Sequence, residues 1–124
     1  MKNKSLLRSF INAFNGLKLG LLHERNMKLH LLAAVLVIAA GLVLELDAMR
    51  WAVLVLTVSA VIAAELFNTA LENVVDMITS QFSQTAKLVK DTAAAAVLVV
   101  SIAAAIIGIL VFYQPFMQFI EKHF

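Results

Sequence analysis

The sequence contains no cysteine and few residues that favour turns. The absence of cysteine among 124 residues excludes a disulfide framework, thiolate metal sites and a cysteine nucleophile. Four glycines and one proline leave little material for turns, so we expect long helices joined by short connections.

Charge is also scarce. Charged residues make up 15% of the chain and hydrophobic residues 62%. In ordinary soluble domains about 25% of residues are charged and about 45–50% are hydrophobic. A domain this small has a high surface-to-volume ratio and could not cover so much apolar surface with so few charges. This composition excludes a water-soluble globular enzyme. The net charge of +2 is too small to indicate a nucleic-acid partner.

Three long apolar segments predict three membrane spans. A spanning helix needs about 20 mainly apolar residues, and segments of this kind cover residues 28–46, 51–76 and 91–113. The first is slightly short, so Lys28 would snorkel to the membrane surface. We therefore predict an all-α membrane protein with a single domain over residues 1–124.

The positions of the basic residues predict the orientation. Eight of the ten fall either in the first 28 residues or in the loop between the second and third spans. Loops rich in lysine and arginine stay in the cytoplasm. We expect a multi-pass protein of the cytoplasmic (inner) membrane, with the N-terminus and this loop inside.

The N-terminal segment, about residues 5–25, has the pattern of a surface helix. At about 100° per residue, five apolar residues fall in a narrow sector, and Arg8 and Asn12 lie opposite. The five are Leu6, Phe10, Phe14, Leu17 and Leu21. Such a helix lies in the membrane interface with its apolar face down. If it continued unbroken, Glu24 would project on the apolar side, where an acid needs a functional reason.

The second span carries a polar stripe. Glu65, Asn68, Glu72 and Asp76 stand at positions i, i+3, i+7 and i+11, within about 80° of the helix circumference. An acid at the centre of a span costs roughly 2.5–3.5 kcal/mol on insertion scales, and such acids usually mark ions, protons or substrate. Two carboxylates on one face suit Mg²⁺. The alternative is that they cap the helix or pair with basic residues during assembly.

Three ordered motifs resemble the small bacterial membrane diacylglycerol kinase family. They are Glu24-Arg25-Asn26-Met27-Lys28-Leu29-His30, the stretch from Glu65 to Asp76, and the stretch from Lys87 to Leu98. The similarity runs over about residues 8–112. The Glu-Arg-Asn and Asn-Thr-Ala sequences within these motifs resemble the Gram-positive branch, whose members mainly phosphorylate undecaprenol.

The resemblance implies a homotrimer with shared sites that uses ATP and Mg²⁺ to phosphorylate a membrane lipid alcohol near the cytoplasmic face. Undecaprenol is the expected acceptor and diacylglycerol the alternative. The implied metal ligands, which would also bind ATP, are Glu24 and Glu72. Glu65, the deepest acid, would be the general base, although the roles of Glu65 and Glu72 could be exchanged. The residues implied to position nucleotide and metal are Asn68, Asp76, Lys90 and Asp91.

Several other residues are expected to have no catalytic role. His23 and His30 are taken as interfacial residues, and residues 115–124 as a dispensable amphipathic end. Ala94 stands where some family members have serine, which argues against contacts to a diacylglycerol headgroup. From the residues alone, Lys90 and Asp91 could simply anchor the start of the third span.

Two other classes of protein also compete with a kinase. A small proton-coupled transporter would use an intramembrane glutamate, but such proteins usually have an even number of spans with the acid in the first. A non-catalytic assembly protein would leave the acidic stripe unexplained.

Overall fold

The computed structural model describes residues 5–124, and within them the regular structure is entirely helical. The helices, in chain order, are α1 (Leu6–His23), α2 (Arg25–Val43), α3 (Ala48–Ile78) and α4 (Gln84–His123). The side chain of His23 and residues 1–4 lie outside the description. The all-α fold predicted from composition is confirmed.

Three of these helices begin at a residue whose side chain caps them. Ser5, Asp47 and Ser83 precede α1, α3 and α4, and each accepts a hydrogen bond from the backbone N–H three residues further on. Such caps satisfy one of the amide donors left open in the first turn of a helix. The starts of these helices are thus set by local sequence.

The Asp47 cap also ties two helices together. The Arg50 guanidinium pairs with the Asp47 carboxylate and donates to Gln114 Oε1 of α4 at 2.5 Å. Hydrogen bonds from the Arg50 backbone and side chain hold the pKa of the Asp47 carboxyl below its usual range. This polar contact links the start of α3 to the distal part of α4.

Helices α2, α3 and α4 are each long and apolar enough to cross a membrane, as the three apolar segments predict. Helix α4 has 40 residues and is about 60 Å long at 1.5 Å per residue. Since the hydrocarbon core is about 30 Å thick, α4 must extend beyond it. Residues 115–123 continue this helix, with Pro115 inside it, so they are not a separate end.

A small apolar core joins the three long helices. Leu46, Leu54 and Val111 are buried together, and Trp51 packs against them. A Cβ atom added at Gly41 of α2 would lie 2.9 Å from Trp51 Cη2. Glycine at this position therefore lets α2 approach the indole ring closely. Most large apolar side chains elsewhere are exposed, as expected of surfaces that face lipid or another membrane helix.

Replacing Gly41 by alanine is expected to destabilise the fold by about 1–3 kcal/mol, because the added methyl group overpacks against the indole. The measurement is unfolding in mixed micelles, followed by the fluorescence of Trp51, the only tryptophan. Gly108→Ala is the matched control, since a Cβ there meets nothing within 4 Å. Equal stability of the two variants would contradict this account of the packing.

Candidate active site

The deeper half of the polar stripe of α3, Glu65 and Asn68, faces the protein interior, whereas Glu72 is half-buried and Asp76 is exposed. Glu65 is 2% exposed and Asn68 is 6% exposed, although most large apolar side chains of the same chain are on the surface. A carboxylate and an amide are therefore withdrawn from the lipid, while leucines and valines are presented to it. This arrangement agrees with the high cost of placing an acid in hydrocarbon.

Side chains from several elements surround Glu65. His30 of α2 places Nε2 at 4.0 Å from Glu65 Oε2. Glu24 and Glu72 lie close enough for their charges to act on the same carboxyl group. One turn along α3 from Glu65, Asn68 Nδ2 donates to Glu72 Oε1 at 3.1 Å. The structure thus brings together four of the predicted site residues, Glu24, Glu65, Asn68 and Glu72.

Glu24 occupies a break in the chain. Its backbone is extended, with φ −96° and ψ 122°, and it separates α1 from α2. The helix does not continue through this residue, so the condition under which Glu24 would project on the apolar side of α1 is not met. The Glu24 side chain makes no capping hydrogen bond to α2, and it lines a cavity of about 720 Å³ between α1 and α3. The break turns the chain from the surface helix into the first span and leaves the carboxylate at the cavity.

Close packing holds α1 over this cavity. A Cβ atom at Gly20 would lie 2.9 Å from Leu66 Cδ2 and 4.0 Å from Met27 Cε. Met27 is completely buried, so the end of α1, the start of α2 and the middle of α3 meet here. Leu66 directly follows Glu65, and the contact therefore places Glu24 beside the polar stripe.

The remaining predicted residues form a second group at the end of α3. Lys90 Nζ lies 2.5 Å from Asp76 Oδ1, and Lys87 Nζ lies 2.5 Å from Asp91 Oδ2. All four line a cavity of about 520 Å³ between α3, the loop and α4. Glu72 connects the two groups, because its charge acts on both Glu65 and Lys90.

Within residues 5–124, the side chain of His23 apart, no three His, Cys, Asp or Glu side chains form a cluster that could hold a metal ion. The donor set does fit a metal brought by a nucleotide, since Mg²⁺ usually takes one or two carboxylates together with substrate phosphates. Asn68 Oδ1 is buried without a hydrogen-bond partner among the described residues. This unpaired amide oxygen lies beside the Glu72 carboxylate, and such a pair of oxygen ligands suits a hard cation.

A family model described as prokaryotic diacylglycerol kinase matches residues 11–112. The chain belongs to this family. The resemblance seen in the three motifs is confirmed. As a member, the chain is a membrane lipid kinase that uses ATP, so the transporter and assembly-protein alternatives are wrong.

Relatives in the family act on different lipids by name. An undecaprenol kinase of Bacillus subtilis is 38% identical over 105 residues, which cover 85% of each chain. A diacylglycerol kinase of Synechocystis is 42% identical over 115 residues, covering 92% of this chain and 66% of that protein. A diacylglycerol kinase of Escherichia coli is 29% identical over 104 residues, covering 84% and 85%.

Two residues that the sequence analysis did not list as candidates lie against candidate site residues. Lys87 was taken only as part of a motif, but it pairs with Asp91 one turn away. His30 was interpreted as interfacial, but it lies 4.0 Å from the buried Glu65. For His30, the available signal was an ionisable side chain inside an otherwise apolar span. Its contact with Glu65 depends on how α2 and α3 are rotated against each other, which the sequence does not give.

Proposed function

We propose that this chain transfers the γ-phosphoryl group of ATP to the hydroxyl of undecaprenol, giving undecaprenyl phosphate. The observation that carries the proposal is Glu65, a buried carboxyl group with Glu24 and Glu72 close around it. The name of the Bacillus subtilis relative supports the acceptor. Phosphoryl transfer depends mainly on positioning and on neutralising charge, and the site supplies carboxylates and lysines for both.

Glu65 is the proposed general base. Of the acids on α3, it is the furthest from the cytoplasmic end of the helix and the most buried. The hydroxyl of a membrane lipid lies at the depth of the interface, so a base that reaches it must sit deeper than the groups that bind nucleotide. Glu65 would take the proton from this hydroxyl as its oxygen attacks the γ-phosphorus.

Glu24 and Glu72 are the proposed Mg²⁺ ligands, with Asn68 in support. The ion would neutralise charge on the ATP phosphates as the phosphoryl group is transferred. Glu72 is oriented by Asn68, and Glu24 comes from the junction of α1 and α2. Because the two ligands belong to different elements, docking of the surface helix would complete the site.

The second group is proposed to bind the nucleotide. Asp76, Lys90 and Asp91 line the cavity between α3, the loop and α4. Lysine is well suited to phosphate as a compact positive charge. The charge of Glu72 acts on both Lys90 and Glu65, which supports a nucleotide site next to the proposed base.

The assembly and location follow the family resemblance. We propose a homotrimer with sites shared between subunits, in the bacterial cytoplasmic membrane and with the site near the cytoplasmic face. The small-residue run of residues 93–96 would permit close packing of helices. The concentration of basic residues near the N-terminus and in the α3–α4 loop supports the orientation.

Diacylglycerol is the second candidate acceptor, favoured by the names of the Synechocystis and Escherichia coli relatives. It carries two ester groups that need hydrogen-bond partners. Near the start of α4 the Thr92 hydroxyl already donates to the Leu88 carbonyl oxygen at 2.8 Å, and residues 93–96 are all alanine. This surface therefore suits an isoprenoid alcohol better.

Glu24→Gln and Glu72→Gln are expected to lower activity at limiting Mg²⁺ by about 10–100-fold, the usual range for a damaged metal site. Raising Mg²⁺ should restore part of it. Glu65→Gln should lose about 10²–10⁴-fold without rescue, because it removes the base. The measurement is initial rate against Mg²⁺ with labelled ATP. Wild-type turnover in all three variants would refute the kinase site.

Lys90→Met is expected to raise the KM for ATP by about tenfold, equivalent to about 1.4 kcal/mol, because it removes a cation that bridges α3 and α4. Lys87→Met should have a smaller effect, since Lys87 pairs within α4. Steady-state kinetics at saturating lipid provides the test. A larger effect from Lys87→Met would reverse the proposed roles of the lysines.

The lipid preference should favour undecaprenol by about tenfold in kcat/KM. Each ester group buried without a hydrogen-bond partner weakens lipid binding by about 1–3 kcal/mol. A change of about 1.4 kcal/mol corresponds to a tenfold change in affinity. Both lipids are to be offered in the same mixed micelles. Ala94→Ser should narrow the difference by adding a hydroxyl group. Equal or higher efficiency on diacylglycerol would overturn the preference and leave the lipid-kinase activity intact.

A further inference from the structure

His30 and Glu65 meet across the contact between α2 and α3. The distance from His30 Nε2 to Glu65 Oε2 is 4.0 Å, within the range of an ion pair. Hydrogen bonds between catalytic groups are often long without substrate and shorten in the reactive complex. A movement of about 1 Å would make this contact a hydrogen bond.

The two side chains differ greatly in access to their surroundings. The Glu65 side chain is 2% exposed and that of His30 is 24% exposed. The more exposed imidazole is therefore suited to carry a proton between the buried carboxyl group and the surroundings. The charged groups around the pair are Glu24 from the α1–α2 junction and Glu72 from α3.

His30 also marks one end of an apolar groove. The groove lies between α2, α3 and α4, with a volume of about 270 Å³. Its lining is mainly alanine, valine and other apolar residues, and α4 contributes Ser101 but no ionisable side chain. His30 is the ionisable residue among the lining side chains, so a titratable group has been placed beside Glu65 in surroundings that otherwise exclude charge.

We propose that His30 is a positioning residue of the lipid kinase: its unprotonated Nε2 accepts a hydrogen bond from the Glu65 carboxyl group once Glu65 holds the proton removed from the acceptor, and it then takes over this proton. The inference rests on the proposed role of Glu65. It assigns to His30 a function through Glu65 and not through direct contact with nucleotide or lipid.

The proton balance is simple. The acceptor O–H bond breaks as its oxygen bonds to the γ-phosphorus, and the proton passes to Glu65. Neutral His30 accepts this proton at Nε2, which restores the Glu65 carboxylate. The imidazolium then releases one proton to water at the membrane surface, and ADP leaves with the electron pair of the broken phosphorus–oxygen bond. No oxidant, reductant or further reactant is needed.

The test compares His30→Leu and His30→Gln with wild type in the full-length protein. Leucine removes the polar contact, whereas glutamine keeps a hydrogen-bonding group that does not titrate. His123→Gln is the matched control, because His123 lies at the end of α4, where its Nδ1 contacts the Phe119 carbonyl oxygen. Initial rates with labelled ATP and undecaprenol in mixed micelles are measured from acidic to basic pH.

His30→Leu is expected to lower kcat by about tenfold or more, with the KM values for ATP and lipid changed less than about twofold. His30→Gln should recover part of kcat, and the acidic limb of its kcat–pH profile should move to lower pH. In wild type, protonation of His30 before the reaction blocks proton acceptance, and this block grows as the pH falls. Glutamine does not titrate, so the lower kcat of His30→Gln lacks this pH dependence. His123→Gln should match wild type.

The proposal is overturned if His30→Gln keeps the wild-type pH profile, or if His30→Leu keeps the wild-type kcat. It is also overturned if the loss appears only in KM. Thermal unfolding of each variant identifies a loss caused by misfolding, and the His30→Gln profile then decides. Wild-type protein inactive on every lipid alcohol would instead refute the proposed function, and this outcome is visible in the same series.

Discussion

The burial of the Glu65 carboxyl group of α3 is the constraint on which the rest of the structure depends. An acid in the middle of a span costs roughly 2.5–3.5 kcal/mol on insertion scales, so α3 can be accommodated only if its polar stripe faces protein. Glu65 is accordingly among the most buried side chains. The orientation of α3 then decides which faces of α2 and α1 can pack against it, and the apolar remainder of α3 is left toward the membrane.

The junction at Glu24 brings a further carboxyl group to the candidate active site on α3. A continuous helix from α1 into α2 could not both lie along the membrane surface and cross the membrane. The extended backbone at Glu24 allows the change of direction, and the contact of Gly20 with Leu66 fixes α1 over α3. Glu24 thereby joins Glu65 and Glu72 of α3, in a region where like charges would repel one another unless a cation or proton is present.

Much of this arrangement was predictable, and the remainder depended on relations between helices. Apolar length predicted the three spans, and helical periodicity placed Glu65, Asn68 and Glu72 on one face. Periodicity describes one helix at a time, however. The contact between His30 and Glu65 depends on the rotation of α2 against α3.

The exact position of the junction at Glu24 and the continuation of α4 through Pro115 were not predicted. Neither glycine nor proline marks the junction. Proline is tolerated in membrane helices when neighbouring groups satisfy the freed carbonyl, and Pro115 does not interrupt α4.

The distribution of buried surface agrees with a chain whose helices lie in a membrane. Its own core is small, and large apolar side chains are exposed along every helix. In hydrocarbon these surfaces need no burial, and stability must come from close packing and polar contacts such as Arg50 with Asp47 and Gln114. The interior can then hold polar side chains such as Glu65 and Asn68. One of the most buried side chains is that of Glu65. The interior can hold this carboxyl group because the apolar side chains can face lipid and do not need to fill a protein core.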